Sequence, residues 1–184
     1  SHEYLWPNVI QESKALLGAL GVPVIESPAS AESQCAQLVK QGVANYSNSQ
    51  DYDSLLFGCP MLLQNLSKSR RRKIRGQWTY QRIDPLISNL QENLERLEID
   101  QFQLVDMALM LKTDYFDGIY GIGPKTALKL IKKHRTIESV MKNEQNEYDF
   151  SHLTPELIVQ FRKLFLLPDV IKTFDNVFWD PPNK

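Results

Sequence analysis

The stretch VPVIESPASAESQCAQLVKQGVANYS, running from Val22 to Ser47, decides the architecture. Val22 to Ile25 is a short apolar, β-branched run, the composition of a buried strand. Ser27-Pro28 reads as an N-cap followed by proline at the first helical position, which predicts a helix to about Lys40. Gln41-Gly42 ends that helix, and Val43 to Ser47 reads as a second strand. A strand, a helix and another strand in this order imply a parallel sheet covered by helices, an α/β fold.

Working outward, residues 8–20 carry Val9, Ile10, Leu16, Leu17 and Leu20 at helical spacing, with Gly21 as the stop. Downstream, Asp51-Tyr52-Asp53 opens a short helical turn through Phe57-Gly58. Met61–Leu66 and Gln77–Ile83 read as two further strands joined by a basic loop. Leu86, Leu90, Leu94 and Leu97 predict an amphipathic helix over 84–98, and residues 101–111 are apolar nearly all round, as in a buried helix. Pro124 opens a helix to about His134, and helices near 136–142 and 154–165 follow. The expected division is 8–115 and 116–184.

Composition bounds the function. With 184 residues, 42% apolar and 23% charged, the chain suits one domain with a real core, or a core plus a small module. No run approaches the roughly eighteen apolar residues of a membrane span, and the first residues lack a signal-peptide pattern. The expectation is an intracellular protein: cytoplasmic in a prokaryote, nuclear in a eukaryote. Cys35 and Cys59 make no disulfide framework, and Cys35 reads as a buried, reduced thiol. His2, His134 and His152 show no zinc spacing. A net charge of -1 excludes a uniformly basic nucleic-acid binder but leaves room for basic patches. Two exist, one over Lys68–Arg75 and one made of Lys125, Lys129, Lys132, Lys133, His134 and Arg135.

Asp51 and Asp53 stand just past a predicted parallel strand, the usual place for a ligand site in an open sheet. Glu32 lies in the first turn of the preceding helix, and Asp114 follows the buried helix. Four acids at one edge repel unless a cation neutralises them, and magnesium or manganese is the natural oxygen-seeking partner. Two such ions could activate a water and stabilise a leaving phosphodiester oxygen. Each acid also has a plainer reading: Asp51 in a turn, Glu32 as a favourable charge at a helix start, Asp114 as a loop residue.

The second motif is Gly121-Ile-Gly123-Pro-Lys125, leading into a lysine-bearing helix. Glycines allow positive φ and close backbone approach, and N–H groups at a helix start face a phosphate. Lys125 and Lys129 add charge without reading sequence. A glycine-rich helix connection with a solvated lysine face is the alternative. Arg70, Arg71 and Arg72 suit a DNA contact or a solvated hairpin tip equally well.

Residues 27–36, 50–58, 112–125, Leu164 to Pro168 and Trp179-Asp-Pro stand in the order and spacing of the flap endonucleases, and the chain resembles that family over about residues 9–182. The resemblance implies a PIN-like nuclease domain with a helix-two-turn-helix element. It implies cutting of 5′ flaps and of nicked or gapped duplex DNA with two Mg2+ ions, and K+ in the helix-two-turn-helix. It makes Glu32, Asp51, Asp53 and Asp114 metal carboxylates, and Gly121, Gly123 and Lys125 parts of the duplex grip. Three departures stand out: Ser30 replaces the family's glutamate, nothing matches the N-terminal half with its two aspartates, and the sliding-clamp peptide is not in this sequence. The expectations are one ion bound tolerably and a second weakly, an N-terminal half acting in cis or in trans, and no clamp contact through this chain.

Overall fold

Gly21 ends the first helix by adopting φ 71°, a left-handed conformation that glycine reaches without strain. Gly21 N–H donates to Gly18 O and Val22 N–H to Leu17 O, closing helix α1, Trp6–Ala19. In the computed structural model, residues 6–67, 69–74, 76–113, 116–174 and 177–182 are described.

Val22 to Ile25 pairs in no ladder among the described residues, so the expected first strand is not formed. Val22 and Val24 are exposed, as are Val9, Ile10, Leu16, Leu17 and Leu20 of α1. Helix α2 spans Ala31–Lys40, and its N-cap is Ser30 rather than Ser27. Ser30 Oγ accepts from Glu32 N–H at 3.2 Å, while Ser27 Oγ donates to Ser30 O at 2.7 Å. Pro28 therefore precedes the helix by a tight turn instead of opening it.

The second expected strand shifts forward and shortens to β1, Ser47–Asn48, which runs parallel to β2, Met61–Gln64. Between them lies the short helix α3, Asp53–Leu56. The other neighbour of β2 is β5, Leu86–Asn89, which pairs antiparallel in the register Met61↔Asn89 to Gln64↔Leu86. The main sheet is thus mixed, ordered β1-β2-β5, where the sequence had suggested parallel strands. The leucine spacing that predicted a helix from residue 84 holds only from Leu90. Pro85 and the β-branched Ile87 favour extension, ladder pairing wins, and Asn89 caps α4 (Leu90–Leu97) by accepting from Glu92 N–H.

The basic segment is not a loop. Ser69–Ile74 forms β3, which pairs with β4 (Gln77–Arg82) across a turn containing Gly76, in a separate two-stranded sheet. Helix α5, Gln101–Met110, is buried as its composition predicts and starts with a full capping box between Asp100 and Gln103. Helices α6 (Pro124–His134), α7 (Ile137–Glu144) and α8 (Pro155–Leu166) complete the chain. A single buried cluster runs from Ala36 and Val39 of α2 through Phe57, Leu90 and Leu109 to Ile131, Val140 and Phe165. Phe57 and Phe161 each stack against Phe165, at ring-centroid distances of 4.7 and 4.9 Å, joining α8 to the sheet side.

A salt-bridged knot ties the last helices to α5. Asp106, with no exposed surface, accepts two hydrogen bonds from the Arg162 guanidinium, at 2.7 and 2.8 Å, and one from Ile137 N–H at the start of α7. Arg162 also grips Glu138 through two donors and lies over the Phe102 ring, 4.4 Å from its centroid. Burial works against the arginine's charge, but the two carboxylates outweigh it and hold the group above its usual range. The segment after α8 lies against α2. The Gln34 amide donates to Ile171 O and accepts from Ile171 N–H, Gln41 Nε2 donates to Lys172 O, and Asp180 N–H donates to Gly21 O. Among the described residues no helix is long and apolar enough to cross a membrane.

Candidate functional site

Three of the four acids singled out by sequence are described, and Ser49 joins two of them. Its hydroxyl donates to Glu32 Oε1 at 2.9 Å and accepts from Asp51 N–H at 3.0 Å. The second contact is a serine turn of the i to i+2 kind, which positions Asp51 just beyond the end of β1. Glu32 stands on the first turn of α2, half-buried, where the positive end of the helix favours its charge. Sequence reading overlooked Ser49. Its signal was a small hydroxyl two residues before an aspartate at a strand end.

Asp53 is the first residue of α3 and lines an apolar cavity of about 270 Å³ with Tyr52, Leu104, Met107, Lys112 and Thr113. Thr113 folds back on the chain: its N–H donates to Phe116 O, and Phe116 N–H donates to its hydroxyl. The cavity thus brings Asp53 beside the residue preceding position 114. Asp114 itself lies outside the described residues. Among those described, no group of three or more His, Cys, Asp or Glu residues is close enough to hold a metal ion. Glu32 and Asp51 are brought together through Ser49, with Asp53 two residues further on.

Ser30 occupies the place of the glutamate that the resemblance implied, and its hydroxyl is already engaged as the α2 cap. Cys35, expected to be buried, is exposed, whereas Cys59 is buried. Partial shielding by protein, then the charge of Glu32, push the Cys35 thiol up.

The glycine turn leads from the end of α5 into α6. Ile119 N–H donates to Met110 O, and Ile122 N–H to Ile119 O. Gly118 and Gly121 have φ of 77° and 84°, as predicted for glycines in a tight turn. A Cβ on Gly118 would stand 2.6 Å from Leu111 C. Gly123 differs: as N-cap of α6 it has φ -97°, and a Cβ there would meet nothing within 4 Å. Its value is open backbone rather than left-handed conformation. Pro124 is the first helical residue, Lys125 and Lys129 are exposed, and the first turn contains no acidic residue. A lysine at a helix start opposes the helix dipole, an arrangement that an external anion would relieve. Lys132 is paired with Glu98, and Lys133 with Glu144 at 2.8 Å. Tyr120, at the crown of the turn, is 99% exposed. Arg70, Arg71 and Arg72 fall on β3.

The XPG I-region family matches residues 21–114, a stretch containing all four acids. The chain belongs to the XPG I-region family. Among curated relatives it is similar to Flap endonuclease 1 of Methanosarcina acetivorans, 39% identical over 177 residues, which cover 96% of this chain and 50% of that protein. It is likewise similar to Flap endonuclease 1 of Staphylothermus marinus, 40% identical over 182 residues, covering 98% and 50%. The chain therefore spans about half the length of the curated relatives it matches. Among solved structures, flap endonuclease-1 from Methanococcus jannaschii superposes with a TM-score of 0.69 at 28% identity, covering 92% of this chain and 47% of that one. The catalytic core of Rad2 in complex with DNA substrate has the same fold at a TM-score of 0.73 and 20% identity, covering 95% and 59%. This XPG I-region chain is thus the C-terminal half of a flap-endonuclease fold.

Proposed function

We propose that this chain supplies the C-terminal half of a magnesium-dependent, structure-specific nuclease that cuts 5′ flaps and nicked or gapped duplex DNA in replication and repair. The observation that carries the reading is the Glu32–Ser49–Asp51 hydrogen-bonded chain, set within a family match that includes Asp53 and Asp114. Glu32, Asp51, Asp53 and Asp114 would hold the divalent ions, one firmly and a second weakly; an all-oxygen donor set fits a hard cation. When bound, such ions supply an activated water and stabilise the leaving oxygen. Ser49 contributes by fixing one oxygen of Glu32.

The functional division falls at 8–115 for the carboxylate side and 116–184 for the DNA side. Gly121, Gly123, Lys125 and Lys129 hold the duplex backbone, with K+ in the turn, and Arg70, Arg71 and Arg72 extend the basic surface. The remaining carboxylates come from an N-terminal half, in cis or in trans. Exposed Val22, Val24, Leu16 and Leu17 leave apolar surface for such a half to cover and support that requirement. No sliding-clamp contact is assigned to this chain, and the working compartment is intracellular.

The test is cleavage of a 5′-flap substrate with magnesium, with and without the N-terminal half. Cutting is expected when both halves are present, and Asp114→Asn should abolish it while sparing DNA binding. No cutting in any combination rejects the reading. One observation favours a second reading, a catalytically impaired DNA-junction binding module: Ser30 stands where a carboxylate was expected, with its hydroxyl spent on a helix cap. That reading predicts duplex binding independent of magnesium, and it fails if the complemented protein cuts.

A further inference from the structure

The outer edge of the main sheet is open. In the order β1-β2-β5, strand β5 is terminal, and among the described residues no strand pairs with its far side. Two hydrogen bonds fix which of its peptide groups face that edge. Leu90 N–H donates to Pro60 O at 2.9 Å. Bonded and non-bonded pairs alternate along an antiparallel ladder, so Leu90, Ser88 and Leu86 are the residues that bond to β2. Ile87 lies opposite Leu63, whose carbonyl turns toward β1 and accepts from Ser49 N–H. Ile87 therefore directs its own N–H and C=O outward, away from β2. Strand β5 is short and Pro85 precedes it, which limits open-ended pairing but leaves the Ile87 groups in place.

The same edge carries apolar side chains and a cation. Leu86 and Ile87, neighbours on opposite faces of the sheet, are 48% and 51% exposed. Beside them a cavity of about 480 Å³ is lined by Met61, Leu86, Ile87, Asn89, Glu92 and Arg96, between β5 and α4. Glu92 is held by the Asn89 side-chain amide at 3.0 Å. Arg96 Nη2 donates to Asn93 Oδ1, and among the described residues no carboxylate stands within salt-bridge reach of it. A DNA backbone offers acceptors to the Ile87 N–H but no donor to its C=O. An extended polypeptide offers both at the spacing of a strand, and its alternate side chains suit the cavity.

We propose that the β5 edge docks an extended segment of a separate protein, added as a further strand, with apolar residues at alternate positions and a carboxylate for Arg96. Bonds to Ile87 supply affinity, the cavity takes the apolar side chains, and Arg96 sets the register. This partner surface goes beyond the nuclease reading, since none of its residues belongs to the carboxylate site or the glycine turn.

The experiment pans a random dodecapeptide phage library against the purified protein, then measures the enriched peptides, synthesised with a fluorescent label, by anisotropy. Enriched sequences should alternate β-branched or aromatic residues with polar ones and include Asp or Glu. Ile87→Pro removes the outward N–H and touches no bond to β2, so the fold should persist. Peptide affinity should then fall at least about 10-fold, with one main-chain bond lost and a ring in the donor's place. Arg96→Glu, at an exposed position, should weaken binding about 5-fold. On the ligand side, N-methylating two successive peptide amides should abolish binding, a result that no misfolded variant can imitate. The Ile87 amide should exchange quickly with solvent in the free protein and become protected when peptide is added. Absence of enriched peptides overturns the proposal, as do peptides bound equally by the parent, Ile87→Pro and Arg96→Glu. Concentration-dependent dimers abolished by Ile87→Pro would give the edge to a second copy of the chain. Displacement of bound peptide by a blunt duplex would give it to DNA, and either outcome also overturns the proposal.

Discussion

At Ser30, one residue has been given a structural task where a ligand was expected. Its hydroxyl accepts from Glu32 N–H, and its carbonyl accepts from Ser27 Oγ, Ser33 Oγ and Gln34 N–H. The side chain thus orients the first turn of α2 and the backbone of Glu32, while adding no charge. Ser30→Ala should lower stability by about 1 kcal/mol, read in urea or thermal denaturation, because an N-cap is lost. Ser30→Glu should also lose the cap, yet raise the magnesium affinity of the complemented enzyme. If Ser30→Glu leaves the magnesium dependence of flap cleavage unchanged, position 30 does not face the metal site. Ser49 works the other way, engaging an acid at 2.9 Å that sequence alone leaves unattached.

At the scale of the element, the three glycines of the turn separate conformation from access. Gly118→Ala combines a φ of 77° with overlap against the Leu111 backbone and should cost more than about 2 kcal/mol. Gly121→Ala, at φ 84° with only the Tyr148 ring nearby, should cost about 1–2 kcal/mol. Gly123→Ala has no strain to add, so its stability should stay near the parent while duplex affinity falls, since a methyl group then stands in front of the helix start. Thermal melts alongside duplex anisotropy check all three, and a large loss of stability in Gly123→Ala would refute the distinction. The sequence made this turn, the buried α5 and the starts of α6 and α8 readable, because glycine, proline and apolar periodicity are local signals. It misplaced the start of α4 and the strand of basic residues, because those depend on which distant strand is available. Leu86 has the spacing of a helix residue, yet its backbone pairs with Gln64. The segment Val22 to Ile25 has strand composition and no ladder among the described residues, since a strand is a property of two segments rather than one. In the candidate site, Glu32, Asp51 and Asp53 were legible as charged residues at expected ends of elements. Their linkage through Ser49 was not, because a hydroxyl bridge carries no periodicity.

Across the whole molecule, the Asp106–Arg162–Glu138 knot fastens helices α7 and α8 onto α5. Hydrogen bonds from Arg162 hold the Glu138 carboxyl below its ordinary 4.5, and those from Lys133 and then His134 do the same for Glu144. A lowered folded pKa stabilises above the unfolded value, and that contribution is lost as pH falls through the folded one. Stability from these pairs should therefore be complete above about pH 4.5 and decline below it. Glu138→Gln should be less stable at neutral pH and show a shallower acid slope. Urea titrations at neutral pH and at points below 4.5 measure this; an unchanged slope in Glu138→Gln would remove Glu138 from the account. Asp106→Asn should cost about 1–3 kcal/mol, because the buried site loses charge-assisted hydrogen bonds while Arg162 keeps Glu138 as its partner.

The segment that follows α8 is fastened to α2 and Gly21 by peptide groups: Ile171 N–H and C=O, Lys172 C=O and Asp180 N–H. A clasp of this kind is indifferent to spelling. Side chains at 171, 172 and 180 can drift without loosening it, so pairwise identity there would understate how firmly the geometry is kept. Ile171→Ala should leave melting and limited proteolysis nearly as they are. Ile171→Pro removes the N–H that Gln34 Oε1 accepts, stranding a buried amide at about 1–3 kcal/mol and freeing the segment for cleavage. Equal damage from both substitutions would mean that the lettering matters after all.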